Sequence, residues 1–287
     1  MMAQLIVNGL TTGLILALPA LALALSFSVL RFANYAIGSY VTVGAFMTWW
    51  ANVYLGLPFW TAAMVGSAAV AAIAVIIDLL VYSRMRERSG LTLLVASMGV
   101  AIALENVVRL LAGNSPRSFE VPVARPYRFW DIRVNQEQLI ILVTVLGALT
   151  IVWLVFRFTR LGRAMRAVAD NAPLAAVRGI ARGRVIAVVW AISGGLAALA
   201  GILIGLDTSI EPQMGWNYLL PIFTAAILGG IASPMAAVAG ALVLGLAEEL
   251  STLFLPPHYR MIVAFGIMAA LLMLRPWGLF GTKWVQR

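Results

Sequence analysis

RFTRLGRAMRAVADNAPLAAVRGIARGR, residues 157–184, is the stretch whose reading decides the fold. It carries seven arginines and one acid, Asp170, and it lies between two apolar runs at residues 138–157 and 185–206. Each run has the length of about 20 residues that crosses the hydrocarbon core of a bilayer as a helix. An arginine-rich interlude between two such runs belongs on the cytoplasmic side of a membrane. Within it arginines alternate with small residues, and Pro173 restarts a helix after Asn171. If residues 162–171 are helical, Arg163, Arg166 and Asp170 share one face, while Met165, Val168, Ala169 and Ala172 share another. That pattern predicts an amphipathic helix on the inner membrane surface. Gly179 can end the second short helix, because glycine accepts the left-handed conformation found there. Topogenesis alone needs a few arginines and no alanine-lined helix-turn-helix, so the segment reads as a docking element.

Outward from this segment, further apolar runs recur at roughly residues 5–30, 33–52, 59–82, 91–112, 216–232, 236–255 and 260–274. The 287 residues are 62% hydrophobic and 11% charged, against about half and a quarter in soluble domains. This is the composition of an integral membrane protein. Its spans are helices, since a barrel would show short alternating segments instead. The predicted fold is all-α, a polytopic transmembrane bundle of 8–9 spans forming one domain over residues 1–287. Residues 158–184 form its cytoplasmic loop and residues 113–137 its one sizeable outer loop. Two runs leave the count open. The seventh contains Pro221 and the pair Gly229–Gly230, so it is either a thin, broken span or re-entrant. The second contains Gly38, Ser39, Tyr40 and Gly44 and reads equally as an interrupted helix.

Charge orients the bundle. Arg31, Arg84, Arg86, Arg88, the seven loop arginines, Arg275, Lys283 and Arg287 fall on one side, which is 14 of the 20 basic residues. Arg117, Arg125, Arg128, Arg133 and Arg260 fall on the other, matched by Glu120, Asp131, Glu137, Asp207 and Glu211. The first side is the cytoplasm, with the C-terminus inside and, for nine spans, the N-terminus outside. The net charge of +9 is thus topological and implies no nucleic acid. No cysteine is present, which excludes disulfides and thiolate metal sites. The N-terminus shows no basic region or small-residue cleavage site, so residues 5–30 read as a retained first span.

Little here suggests catalysis. His258, the only histidine, follows Pro256–Pro257 at a membrane edge, and a pairing with Ser251 or Ser233 has no supporting acid. No metal cluster and no glycine-rich phosphate loop with a lysine is present, so no cofactor is implied. Intramembrane charge is more informative. Glu105 and Arg109 stand four apart on the fourth span and can meet on one face. The pair reads either as mutual neutralisation near the outer end or as a functional site, the default for charge at that depth. Of Glu248 and Glu249 at most one should face the bundle. Gly9–Gly13 and Gly201–Gly205 have GxxxG spacing, which lets helix backbones approach closely. In the outer loop Pro116, Pro122 and Pro126 forbid a continuous helix. There Phe119, Tyr127, Phe129 and Trp130 read as interfacial aromatics.

Several of these stretches together resemble the permease subunits of branched-chain amino-acid ABC importers, specifically the shorter of their two membrane subunits. TRLGRAMRAVADNAPLAAVRGI (159–180) is similar to that family's cytoplasmic loop, and FTAAILGGIASPMAAVAGALVLGLAEEL (223–250) to its glycine-rich seventh and eighth spans. LRPWGLFG (274–281) resembles its C-terminal signature, LVASMGVAIALENVVRLLAG (94–113) its fourth span, and RFANYAIGSYVTVGAF (31–46) its second. There are departures: Ile37 stands where histidine is usual, Glu105 where glutamine is usual, and Ala232 where glycine is usual.

The resemblance implies a division of labour. A periplasmic binding protein delivers substrate. This chain and a homologous second permease form the pathway in the bacterial inner membrane, and two ATPase subunits beneath do the work. It makes Gly162, Arg163, Arg166, Ala169, Asp170, Asn171, Ala175 and Gly179 the expected coupling residues, with the alanines allowing deep seating and the arginines pairing with acids on the ATPase. Asn34, Gly38, Ser39, Glu105 and Asn106 are the expected pathway residues. An ion-coupled secondary carrier, which leaves the arginine loop unexplained, and an intramembrane enzyme using Ser251 and His258, which nothing in the spacing favours, are the alternatives.

Overall fold

An apolar segment in a bilayer satisfies its backbone polar groups by forming an unbroken helix, and helices dominate the computed structural model, which describes residues 2–121, 127–129, 132–256, 259–275 and 277–280. In chain order they are α1 (Met2–Leu30), α2 (Ala36–Val53), α3 (Phe59–Met85) and α4 (Gly90–Ala112). After a hairpin of β1 (Tyr127–Phe129) and β2 (Ile132–Val134) come α5 (Gln136–Phe158), α6 (Arg160–Asp170), α7 (Ala172–Val177) and α8 (Arg182–Asp207). The chain closes with α9 (Met214–Gly229), α10 (Pro234–Ser251) and α11 (Arg260–Leu274). Among the described residues six helices, α1, α3, α4, α5, α8 and α10, are long and apolar enough to cross a membrane, and α9 and α11 are shorter apolar helices.

Local chemistry sets several of the ends. Arg31 stops α1 in a left-handed conformation with φ 61°. Ser89 Oγ accepts the Thr92 N–H at the start of α4, and Gln138 Oε1 accepts the Asn135 N–H at the start of α5. Asp78–Tyr82 form a π turn inside α3.

Residues 13–26 of α1 are buried without a break, as befits a helix that is hydrophobic all round. It packs along α10, where Gly9 and Gly13 meet Leu242, Gly245 and Leu246 backbone to backbone. α2 is not among those six helices, yet it is buried over most of its length and sits against α3, α4, α8 and α9. Gly201 of α8 abuts Val41, Gly44 abuts Ala198, and Gly38 faces Gly215 of α9. Gly9, Gly13 and Gly201 of the GxxxG spacings are therefore helix contacts within this chain, while Gly205 faces the Ile210 and Phe119 side chains.

The basic residues gather at one end of the bundle. Arg31 Nη2 donates to the Ala169 carbonyl at 2.7 Å, and Arg84, Arg86 and Arg88 share a cavity with Arg182. At the opposite end, Gln4 and Asn8 meet Arg133, Asp207, Glu249 and Arg260.

Three readings change. α2 is uninterrupted. α9 is continuous through Pro221, and it begins inside the bundle, where the Gly215 N–H donates to Thr42 Oγ1 at 3.0 Å. The outer segment, where a continuous helix was excluded, contributes a hairpin with register Tyr127↔Val134. Phe119 is a core residue stacked edge-on against Phe59, because the chain after α4 folds back over the bundle through paired Arg117 and Ile210 backbone bonds. Pro122, Arg125, Pro126, Trp130, Asp131, His258, Lys283 and Arg287 lie outside the described residues, as do the side chains of Tyr127, Arg128 and Phe129.

Candidate functional site

At the basic end, α6 and α7 form a compact helix-turn-helix. Thr159 Oγ1 accepts the Gly162 N–H at 3.1 Å to start α6. Asn171 Oδ1 accepts the Leu174 N–H at 3.0 Å to start α7, with Pro173 in its first turn. Each cap satisfies a donor that has no partner within its helix. Gly179, at φ +81°, turns the chain into α8.

The apolar stripe of α6 lies on the bundle, not on the membrane surface. Met165 and Val168 pack with Ala175, Val185 and Val189, bordered by Val29 and Phe156. This corrects the role expected for the small residues. Ala175 is only 4% exposed. Gly162 is buried so tightly that a Cβ there would lie 2.3 Å from the Phe156 carbonyl oxygen. Both are internal packing positions. Arg166 is exposed, but it donates through Nη1 to the Phe156 carbonyl at the end of α5, so it braces the loop against its own bundle. Arg163, Asp170 and Asn171 are exposed, Ala169 is half-buried, and the Ala169 carbonyl is occupied by Arg31.

The outward face thus consists of Arg163 and Asp170 on α6 with Leu174 and Val177 on α7, the last two 58% and 84% exposed. The two apolar residues were missed in sequence because the 3.6-residue pattern marks them as core. Only the turn at Asn171 aims them away from the bundle.

A second feature at this end went unread in LRPWGLFG. The Leu279 and Phe280 N–H groups donate to the Leu228 and Gly229 carbonyls at 2.8 and 3.2 Å. They satisfy carbonyls at the C-terminus of α9 that have no partner within the helix. Gly278, at φ +84°, allows this approach, since its ideal Cβ would stand 2.7 Å from Gly230 N.

The expected pathway residues separate into two groups. Asn34 is fully buried, its Oδ1 accepting the Ala36 N–H at 3.1 Å. Gly38 is a contact glycine against Gly215, and Ser39 Oγ donates to the Ala101 carbonyl at 3.0 Å. These three hold α2 to its neighbours. Glu105 and Asn106 lie on the outward side of α4. Arg109 Nη2 stands 2.5 Å from Glu105 Oε1, with the two side chains 32% and 16% exposed. Asn106 is exposed and donates to the Ile102 carbonyl. One charge near the bilayer centre costs about 2.5–3.5 kcal/mol on insertion scales, so such a pair has a cause to be where it is. Arg109 also lines a polar cavity of about 370 Å³ with Asn114, Glu211 and Gln213.

Glu248 and Glu249 are both buried, at 7% and 4% exposure, where only one was expected to turn inward. The end of α10 is walled on several sides, so neither face is free. Glu249 is held by Asn8 Nδ2 at 3.3 Å and Arg260 Nη2 at 2.8 Å. These groups border an open polar cavity of about 740 Å³ with Gln4, Arg133, Asn135 and Asp207.

Residues 5–272 match the family described as "Branched-chain amino acid transport system / permease component". The high-affinity branched-chain amino acid transport system permease protein LivH of Escherichia coli (strain K12) is 31% identical, over 98% of this chain and 96% of its own. The high-affinity branched-chain amino acid transport system permease protein LivM of the same organism is 24% identical over 84% of this chain and 62% of its own. In overall fold the chain resembles PsaBC from Streptococcus pneumoniae, solved in complex with Fab, with a TM-score of 0.51 at 12% identity, over 94% of this chain and 91% of that one.

Proposed function

The chain belongs to the branched-chain amino acid transport permease family, and from that premise we propose that it is the membrane permease subunit of an ATP-driven importer for branched-chain or related amino acids. It is a multi-pass membrane protein, and the importer reading places it in a bacterial inner membrane. One observation carries the reading: the chain is similar to both LivH and LivM, two permease proteins of a single transport system. Two homologous chains in one system fit a pathway built between a pair of permeases. A periplasmic binding protein would deliver substrate, and two ATPase subunits would dock beneath.

Nine membrane crossings, by α1–α5 and α8–α11, follow from this reading, with the basic end and the C-terminus in the cytoplasm. The ATPase contact is then the outward face of α6–α7. Arg163 offers charge, and Leu174 and Val177 offer apolar knobs of the kind that anchor interfaces. Gly162, Arg166 and Ala175 act beneath it by fixing the element to the bundle, so that ATP-driven closure pushes on a rigid body. Ala169, Asp170, Asn171 and Gly179 shape its turns.

The test is co-purification of the tagged chain in detergent, wild type beside an Arg163→Glu, Val177→Asp variant. Wild type should bring down two ATPases and a second permease, and the variant should keep the permease and lose the ATPases. A folded wild-type chain that emerges alone would sink the importer reading and favour an ion-coupled carrier.

A further inference from the structure

We infer that the Glu105–Arg109 pair is a zwitterion-recognition site, Arg109 receiving the α-carboxylate and Glu105 the α-ammonium of an amino acid in transit. The inference rests on the amino-acid permease reading above and gives its pathway a specific chemistry.

Three observations converge on it. The first is depth. Glu105 lies seven residues before the end of α4 at Ala112, which is about 10 Å along the axis, and its exposed neighbours Ile102, Val107 and Leu110 are apolar. The pair is thus set on an apolar face, one to two turns inside the end of α4. The second is the polar opening beside it. Arg109 shares its cavity with Asn114, Glu211 and Gln213, and the far wall is the segment that leads into α9. That segment descends from the outer end to the level of Thr42, where α9 begins. A polar hollow at the outer end of α4 thus opens directly onto the guanidinium of the pair. The third is unused donor capacity. Arg109 spends Nη2 on Glu105, while its Nε is buried with no hydrogen-bond partner.

The chemistry suits a zwitterion. An empty site keeps its two charges paired with one another, so neither is left alone in a medium of low polarity. An arriving amino acid carries the same two charges. Exchange replaces one ion pair by two, and the pair with its guest stays neutral throughout. The guanidinium fork matches a carboxylate in plane and spacing, and a carboxylate is the matching acceptor for an ammonium. Lipid-facing snorkelling would account for the pair alone, but not for the polar cavity and the unfilled donor at Arg109.

The test uses the complete importer, with both permeases, the ATPases and the binding protein, in proteoliposomes loaded with ATP, and reads uptake of radiolabelled leucine. Glu105→Gln, Arg109→Gln and the neutral double variant are compared after co-elution confirms assembly. The double variant buries no lone charge, so it is the form that folds if any does. The expected result is at least a tenfold fall in initial uptake for each single variant, with no recovery in the double. Wild-type uptake by the double variant would overturn the inference while leaving the permease reading intact. A wild-type complex that moves no leucine, isoleucine or valine would overturn the permease reading and this site with it.

Discussion

Gly201→Ala adds one methyl group where α8 crosses α2, and the structure states what that group would meet. An ideal Cβ at residue 201 stands 1.9 Å from the Val41 carbonyl oxygen, 2.6 Å from its carbon and 3.0 Å from its Cα. Contacts below 3.0 Å are essentially never made by real Cβ atoms, and all three of these atoms are backbone, so no side chain can swing aside. The helices must separate by about 1 Å, and a gap of 0.5–1 Å already forfeits a quarter to a half of each dispersion contact across it. Overpacking of this kind costs about 1–3 kcal/mol, partly offset by the 0.5–1 kcal/mol by which alanine outranks glycine in a helix. A net loss of about 1–2 kcal/mol is expected. Gly99→Ala on α4 is the matched control, because nothing lies within 4 Å of its Cβ position, and only the propensity gain remains. The assay is thermal or SDS-induced unfolding of both purified variants in one detergent. If Gly201→Ala proved as stable as Gly99→Ala, the argument that backbone contact holds α2 in the centre would be refuted.

Further outcomes follow from other contacts. Arg260→Leu leaves Glu249, 6% exposed at its side chain, without its cation. Breaking a buried pair costs about 3–5 kcal/mol, and the open arginine end reduces this to about 1–3 kcal/mol. Adding Glu249→Gln should restore most of the midpoint lost in denaturation, and no rescue would count against the pairing. Gly278→Val puts a β-branched residue at φ +84° against Gly230 and should detach the Leu279 and Phe280 hydrogen bonds. Backbone strain of about 1–2 kcal/mol is expected, read as faster amide exchange at residues 279 and 280; unchanged exchange would sink the strap. Ala175→Leu enlarges a 4%-exposed position between α6 and α8. It should lower stability by about 1–3 kcal/mol without first altering the outward face, so stability and ATPase binding should fall together in unfolding and co-purification measurements.

Membrane residence, helical class and the position of every long apolar helix were legible in the sequence, because hydrocarbon demands long apolar runs and leaves helices as the means of meeting that demand. The arginines at 157–184, the restart at Pro173 and the turn at Gly179 were legible for the same reason: charge side and helix capping are local chemistry. Direction was not local. The sequence shows that Met165 and Val168 share a face, yet whether lipid or Val185 and Val189 covers it depends on where α8 stands. GxxxG at Gly201–Gly205 announces a close neighbour, but only the packed bundle identifies it as Val41. The sequence left α2 open as an interrupted helix, and three-dimensional packing gives Ser39 the Ala101 carbonyl and Thr42 the Gly215 N–H. The same limit applies to the charged residues. Spacing permits Glu105 to meet Arg109, but the polar hollow that gives the pair a use is formed by Glu211 and Gln213, roughly a hundred positions later. Periodicity and capping act within a few residues of chain, whereas contact, exposure and cavity shape are sums over distant segments, and those the tertiary structure alone decides.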